Sequence, residues 1–287
     1  MAKKTSAHYE TYIATSSKAV RVVGAGAKAV ASAYKIEVRF LGGLTTAQKN
    51  AFKVAADRWA SVIVGDLPSV RVDGEVVDDL LILAQGTAID GPRGILGQAG
   101  PTHIRPASAG KSKFLPVKGI MSFDTADLKA MQQDGTLKDV ITHEMGHVIG
   151  IGTIWARKGL LKDAGKNTVR FVGANARKEF GKLKKSKAAD VPVENTGGPG
   201  TADGHWRESV FRNELMSGFI AAPNNPLSRL TVASLQDLGY EVDLSNAEAY
   251  KLPDLFAVAA AGATSTHDEP HALPIIPMVV PDDSLIP

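Results

Sequence analysis

The sequence predicts one α+β domain: a mixed twisted sheet with an active-site helix and a backing helix, followed by a loop-rich C-terminal part. Three observations carry this. Strand-like runs dominate the first third, one strongly patterned helix lies near the middle, and Gly- and Pro-rich sequence fills much of the rest. With 44% hydrophobic and 22% charged residues among 287, the chain can bury a substantial core.

The elements follow in order. YKIEVRF (34–40) alternates Ile36, Val38 and Phe40 on one face, the pattern of a half-buried strand. LTTAQKNAFKVAADRWASVI predicts an amphipathic helix. Thr45 and Gln48 form its capping box, and Phe52, Ala55, Ala56, Trp59, Val62 and Ile63 recur at helical spacing. SVRVDG and DLLILAQ read as strands, GILGQAGP as a short extended piece and KGIMSF as a further strand. A helix is expected from Thr136, with Leu137, Val140, Ile141, Met145 and Val148 on its apolar face and Gly150 as its left-handed stop. Residues 155–204 read as irregular and polar, and LTVASLQDLG as a last helix closed by Gly239.

Residues 1–33 are expected to be a flexible arm or pro-segment. The domain is expected over 34–256, with an upper part to about 150, an insertion over 151–204 and a lower part over 205–256. The Ala- and Pro-rich 257–287 reads as an extended or disordered tail.

Composition narrows the chemistry. A net charge of +3 is too small to argue for nucleic acid, and the run RKEFGKLKKSK (177–187) reads as a solvated helix face or loop. The absence of cysteine removes disulfides, thiolate zinc ligands and a nucleophilic thiol. Lys18, Arg21 and Lys28 interrupt every apolar run near the N-terminus, so no standard signal peptide is legible, nor any stretch long enough to span a membrane. The expected chain is monomeric. It is expected to be secreted by a route without a standard signal peptide rather than retained in the cytoplasm.

The chemistry concentrates in HEMGH (143–147). Residues four apart share a helix face, so His143 and His147 can aim at one metal ion, with Glu144 beside it. Zinc brings a bound water to a pKa of about 7, and a neighbouring carboxylate can move its proton. The pattern implies peptide-bond hydrolysis by a metal-activated water, with Glu144 as general base and later acid.

A tetrahedral site needs a third protein ligand, and position 153 holds Thr153. One solution for such sites takes a glutamate from a later helix, with Glu179, Glu194 and Glu208 as candidates in a thermolysin-like arrangement. The other, the metzincin solution, turns the chain at a glycine and brings back a third histidine above a methionine-bearing turn. Gly150 favours the second. Of the remaining histidines, His205 alone has matching surroundings, in GTADGHWRESVFRNELMSGF with Met216 inside ELMSG. His267 and His271 read as part of a solvated tail.

This stretch resembles the leishmanolysin-like branch of the metzincins, in which a long insertion separates the third histidine from HExxHxxG. His147 and His205 are 58 positions apart, in keeping with that layout. The resemblance covers about residues 34 to 245. It implies a zinc-dependent endopeptidase acting on protein or peptide substrates, with His143, His147 and His205 on zinc and Met216 in the Met-turn. A non-catalytic protein-binding module on the same fold is the alternative from another class.

IDGPRGILGQAGP and MSFDTADL also resemble the S-shaped loop and edge strand of matrix metalloproteinases. That resemblance implies substrate pairing along Gly94, Ile95, Leu96, Gly97, Gln98 and Ala99. It places calcium carboxylates at Asp90, Asp124 and Asp127. Gln98 and Ser122 stand where two histidines of that family's second zinc would be, which argues against a second zinc. Unlike leishmanolysin-type relatives, this chain has no cysteine, so no thiol can hold the zinc latent. Phe219 stands where some metzincins carry a tyrosine near the zinc.

Overall fold

The computed structural model describes residues 9–17, 33–91, 96–220, 222–254, 272–273 and 275–286. The upper half contains strands β1 (Glu10–Thr15) and β2 (Lys35–Gly42), helix α1 (Thr46–Val62), strands β3 (Val70–Val72), β4 (Glu75–Val77), β5 (Leu80–Thr87), β6 (Gly97–Ile104) and β7 (Pro116–Asp124), and helices α2 (Thr125–Asp134) and α3 (Leu137–Ile149). The lower half holds β8 (Leu161–Lys162), β9 (Arg170–Phe171), α4 (Ala174–Leu183), β10 (Val191–Pro192), α5 (Glu208–Phe211) and α6 (Arg229–Leu238). The short strands β11 (Ala272–Leu273) and β12 (Met278–Val279) follow near the C-terminus.

Among the described residues, seven strands form one mixed sheet in the order β1-β2-β5-β7-β6-β11, with β12 also paired to β6. β2, β5 and β7 run parallel, while β1 and β6 are antiparallel to their neighbours β2 and β7. The central strand β5 is buried on both faces because each face carries its own apolar cluster. Leu80, Ile82 and Ala84 face the main core under the helices. Leu81 joins Val70, Val72, Val77, Val117 and Val280 in a smaller cluster on the other side.

α1 begins with the expected capping box. The Thr45 side chain accepts from the Gln48 amide, and Gln48 Oε1 accepts from the Thr45 amide at 2.9 Å. Its apolar stripe packs against α3 and the sheet, with Phe52 and Trp59 fully buried. Burying each of these rings contributes roughly 2–3 kcal/mol. Trp59 Nε1 donates to the Thr142 carbonyl at 2.9 Å, and the Tyr240 hydroxyl donates to the Ile149 carbonyl at 2.8 Å. These two bonds tie both ends of the α3 turn that carries the motif to the rest of the domain.

The fold is richer than expected in three places. Residues Glu10–Thr15, from the expected arm, form the antiparallel edge strand β1 on β2. β11 and β12, from the expected tail, pair with β6, so the sheet extends beyond 34–256 at both ends. The region 155–204, expected to be irregular, contains α4 and the small sheet β10-β9-β8. Trp155, Phe171 and Trp206 pack together with ring centroids 4.7 to 5.4 Å apart and join that sheet to the main core. The basic run lies largely on α4, where Lys182 pairs with Glu179 at 2.7 Å, and Arg177 pairs with Asp190 at 2.7 Å. No helix of the described residues is long and apolar enough to cross a membrane.

Candidate metal centre

α3 delivers two of the three histidines. Its C-terminal stop is Gly150, at φ 117°, a backbone conformation that a side chain would strain. Beyond it the chain leaves for the insertion and returns through Gly204, whose carbonyl lies so close to Gly152 that a Cβ there would overlap it. His205 follows directly. Its neighbours are clamped on two sides: the Glu194 amide donates to the His205 carbonyl at 2.8 Å, and the Trp206 amide to the Met216 carbonyl at 2.9 Å.

The three imidazoles converge. His143 Nε2 is 3.0 Å from His205 Nε2, His147 Nε2 is 3.1 Å from His143 Nε2, and His147 Nε2 is 2.9 Å from His205 Nε2. The opposite nitrogens fix the tautomers. Nδ1 of His143 donates to the Leu215 carbonyl at 2.7 Å, Nδ1 of His147 to the Ile151 carbonyl at 2.9 Å, and Nδ1 of His205 to the Thr201 carbonyl at 2.9 Å. A carbonyl only accepts, so each Nδ1 carries a hydrogen, which leaves Nε2 as the nitrogen able to bind a cation.

Three lone pairs meeting at about 3 Å repel unless a cation lies among them. Tetrahedral zinc, at about 2.0–2.1 Å from each nitrogen, spaces such ligands by a little over 3 Å. The donor set therefore fits a divalent zinc-type ion. Glu144, next to His143, is buried, its Oε2 finds no hydrogen-bond partner, and burial pushes its carboxyl up to about 8. Burial likewise drives the His147 imidazole down to about 4, favouring the neutral form that binds metal.

Met216 is fully buried under the same helix. A Cβ on Gly146 would run into its Sδ and into the Trp59 ring, so glycine between the two histidines lets the methionine approach. Glu214 secures this turn. Its buried carboxylate accepts from the Met216 amide at 2.7 Å, the Ser228 hydroxyl at 2.6 Å and the Thr231 hydroxyl at 2.5 Å, joining the turn to the start of α6. Glu214 was not singled out by its sequence context, since one acidic residue before a methionine carries no spacing signal.

The glutamates weighed as a third ligand are engaged elsewhere. Glu179 pairs with Lys182 and Arg229. Glu194 accepts from the amides of Asn195, Thr196 and Glu208. Glu208 is not part of the histidine group.

The calcium expectation finds no support in the structure. Among the described residues, Asp90, Asp124 and Asp127 do not form a ligand group. Asp124 instead caps α2, accepting from the Ala126 amide at 2.7 Å, and holds the preceding loop through the amides of Ile89 at 2.6 Å and Gly91. Aspartates in Gly-rich loops commonly serve backbone turns in this way. A different acidic group, Asp66, Asp78 and Asp79, does converge, but Asp79 is taken by the Lys35 and Leu67 amides and Asp78 by the Lys35 ammonium.

Of the expected substrate strand, Gly94 and Ile95 lie outside the described residues. Leu96 is buried, its carbonyl accepting from the Asp124 amide at 2.8 Å, and Gly97, Gln98 and Ala99 open β6. Gln98 and Ser122 stand opposite each other in the β6–β7 register. His267 and His271 are likewise outside the described residues.

Three buried histidines on an α+β scaffold, two of them from an HExxH helix, form a group that could hold a metal ion. The leishmanolysin family model matches residues 110–257, about half of the chain, and the chain belongs to that family. It is 29% identical over 145 residues to leishmanolysin of Leishmania donovani, an alignment covering 46% of this chain and 24% of the relative. It is 31% identical over 143 residues to leishmanolysin of Leishmania major, covering 46% and 23%. A leishmanolysin homolog of Crithidia fasciculata is 26% identical over 148 residues, covering 47% and 22%. The matched part spans about a quarter of the length of these relatives.

Proposed function

We propose that this protein is a zinc-dependent endopeptidase of metzincin type, with His143, His147 and His205 as zinc ligands. The convergence of three Nε2 atoms on one point, with the buried Glu144 on the same helix, carries this reading. Membership in the leishmanolysin family supports it. The engaged positions of Glu179 and Glu194 give no support to a glutamate as third ligand.

When bound, zinc would supply a lowered water pKa and an electrophile for the scissile carbonyl. The histidines, each locked by a backbone carbonyl, hold their Nε2 lone pairs on one point without reorganisation. Glu144 takes a proton from the attacking water at its free carboxylate oxygen and passes it to the leaving amine. Met216 forms the Met-turn, packing under the ligand helix and keeping Leu215 where its carbonyl orients His143. The first residues of β6, Gly97 to Ala99, offer main-chain groups to an extended peptide.

Replacing Glu144 with Ala should leave zinc content near that of the parent and lower peptide hydrolysis by at least about a hundredfold. Zinc is measured by elemental analysis and hydrolysis with a quenched peptide library. Retained hydrolysis in Glu144→Ala would sink the mechanism. His205→Ala should lose most of its zinc; unchanged zinc would remove His205 from the ligand set.

A further inference from the structure

The edge of β6 on which a peptide would pair is already covered by this chain's own C-terminal segment. We propose that Ala272–Leu273 and residues 275–280 form an internal strap on that edge, and that the strap must lift before an extended peptide can bind. The proposal rests on the peptidase reading above and adds a regulation to it.

β6 has β7 on one side, antiparallel. On its other side β11 pairs in parallel with Gly97 and Gln98, and β12 with His103 and Ile104. α3 packs on β6 and β7, and a Cβ on Gly119 of β7 would overlap both Val148 and the Gly100 carbonyl. The Gly97–Gly100 stretch therefore runs past the helix turn that carries His147. Between the two short pairings the Ile275 side chain lies over Gly100, while Ile276 is 90% exposed.

The strap is held unequally. Its distal end is anchored: Val280 is buried among Val70, Val72, Val77, Leu81 and Val117, and its amide donates to the Ile104 carbonyl at 3.0 Å. The Ser108 hydroxyl donates to Asp282, and the Ile286 amide to the Ser69 carbonyl at 3.0 Å. At the proximal end the described pairing is a two-residue parallel ladder, the weaker form of pairing. Lifting Ala272–Leu273 uncovers Gly97 and Gln98 while the Val280 anchor stays seated. The same main-chain groups serve the strap or a peptide, never both.

A reversible lock tests this directly, because the chain has no native cysteine. Gln98→Cys with Leu273→Cys places two thiols on residues opposite each other in register, within the separation a disulfide spans. The double variant is compared with itself, oxidised and then reduced by a phosphine. A fluorescent extended peptide reports binding by anisotropy in the Glu144→Ala background, and a quenched peptide reports hydrolysis with Glu144 present.

Binding and kcat/KM should each be at least tenfold weaker in the oxidised form and recover on reduction. Equal binding in both forms overturns the strap and leaves the peptidase reading intact, and so does an absence of binding in both. Binding restored on reduction with no hydrolysis in the zinc-loaded protein supports the strap and overturns the peptidase reading instead. Should the disulfide not form, Val280→Asp, which unseats the anchor, should raise kcat/KM at least fivefold; an unchanged value overturns the strap.

Discussion

Glu214 shows how much one buried side chain can carry. Burial pushes its carboxyl pKa up, and four donors partly offset that: the Met216 and Ser228 amides and the hydroxyls of Ser228 and Thr231. Glu214→Ala leaves these donors without an acceptor, and should destabilise the fold by about 3 kcal/mol. Chemical denaturation measures the stability. The same variant should retain zinc less well, because the turn it secures includes the Leu215 carbonyl that orients His143. Unchanged zinc retention would reduce Glu214 to a purely structural role.

Asp79 gives a pH signature of its own. Burial raises its carboxyl to about 7 despite bonds from the Leu67 and Lys35 amides. A folded pKa above the unfolded value means the native state holds the proton longer. The contribution is therefore full below about pH 4 and is lost as pH rises towards 7. Thermal melts at pH 5 and pH 8 should differ less in Asp79→Asn than in the parent. An identical pH slope would remove Asp79 as its source.

At the scale of elements, α1 and α3 were legible because each carries a long apolar stripe bounded by end signals. In α1 these are Thr45 and Gln48, and in α3 Gly150. α2 was not legible, since its ten residues bury only Asp127 and Leu128 and its cap, Asp124, reads equally well as a turn residue. α4 was masked by its lysines; its buried stripe of Ala176, Glu179 and Phe180 is short and interrupted by charge. The two-residue strands β8 to β12 are shorter than any periodic pattern can reveal. Such strands exist because partners distant in the chain present free backbone groups.

The packing of α3 also yields a test. Gly146 faces Met216 and Trp59 with no room for a Cβ. Gly146→Val should cost about 1–3 kcal/mol by overpacking, and shift the methionine turn away from the helix. The unfolding midpoint and zinc content report the two effects separately. A variant as stable as the parent would mean that the approach is looser than the structure has it.

At the scale of the whole molecule, the metal centre joins the two halves of the domain: His143 and His147 come from α3 in the upper half and His205 from the lower. A metal held there binds the native state and not the unfolded chain. Zinc at a hundred times its Kd should add about 2.7 kcal/mol, and a chelator should lower the melting temperature accordingly. His143→Ala should abolish this zinc dependence. A chelator without effect on the parent would contradict a zinc-bound native state.

The sequence by itself determined the helix that carries HEMGH, its left-handed stop, the backing helix and the strands β2, β5 and β7, because each is written in local periodicity and end signals. It also singled out His205 and Met216, through a motif whose parts lie close together in the chain. Only the tertiary structure decided that the three Nε2 atoms share one focus and that carbonyls of Leu215, Ile151 and Thr201 set their tautomers. It likewise placed Asp124 as the cap of α2, and brought the C-terminal segment onto β6. Backbone carbonyls and strand edges have no residue signature. Their partners are chosen when the chain closes on itself, by the need to satisfy every buried polar group.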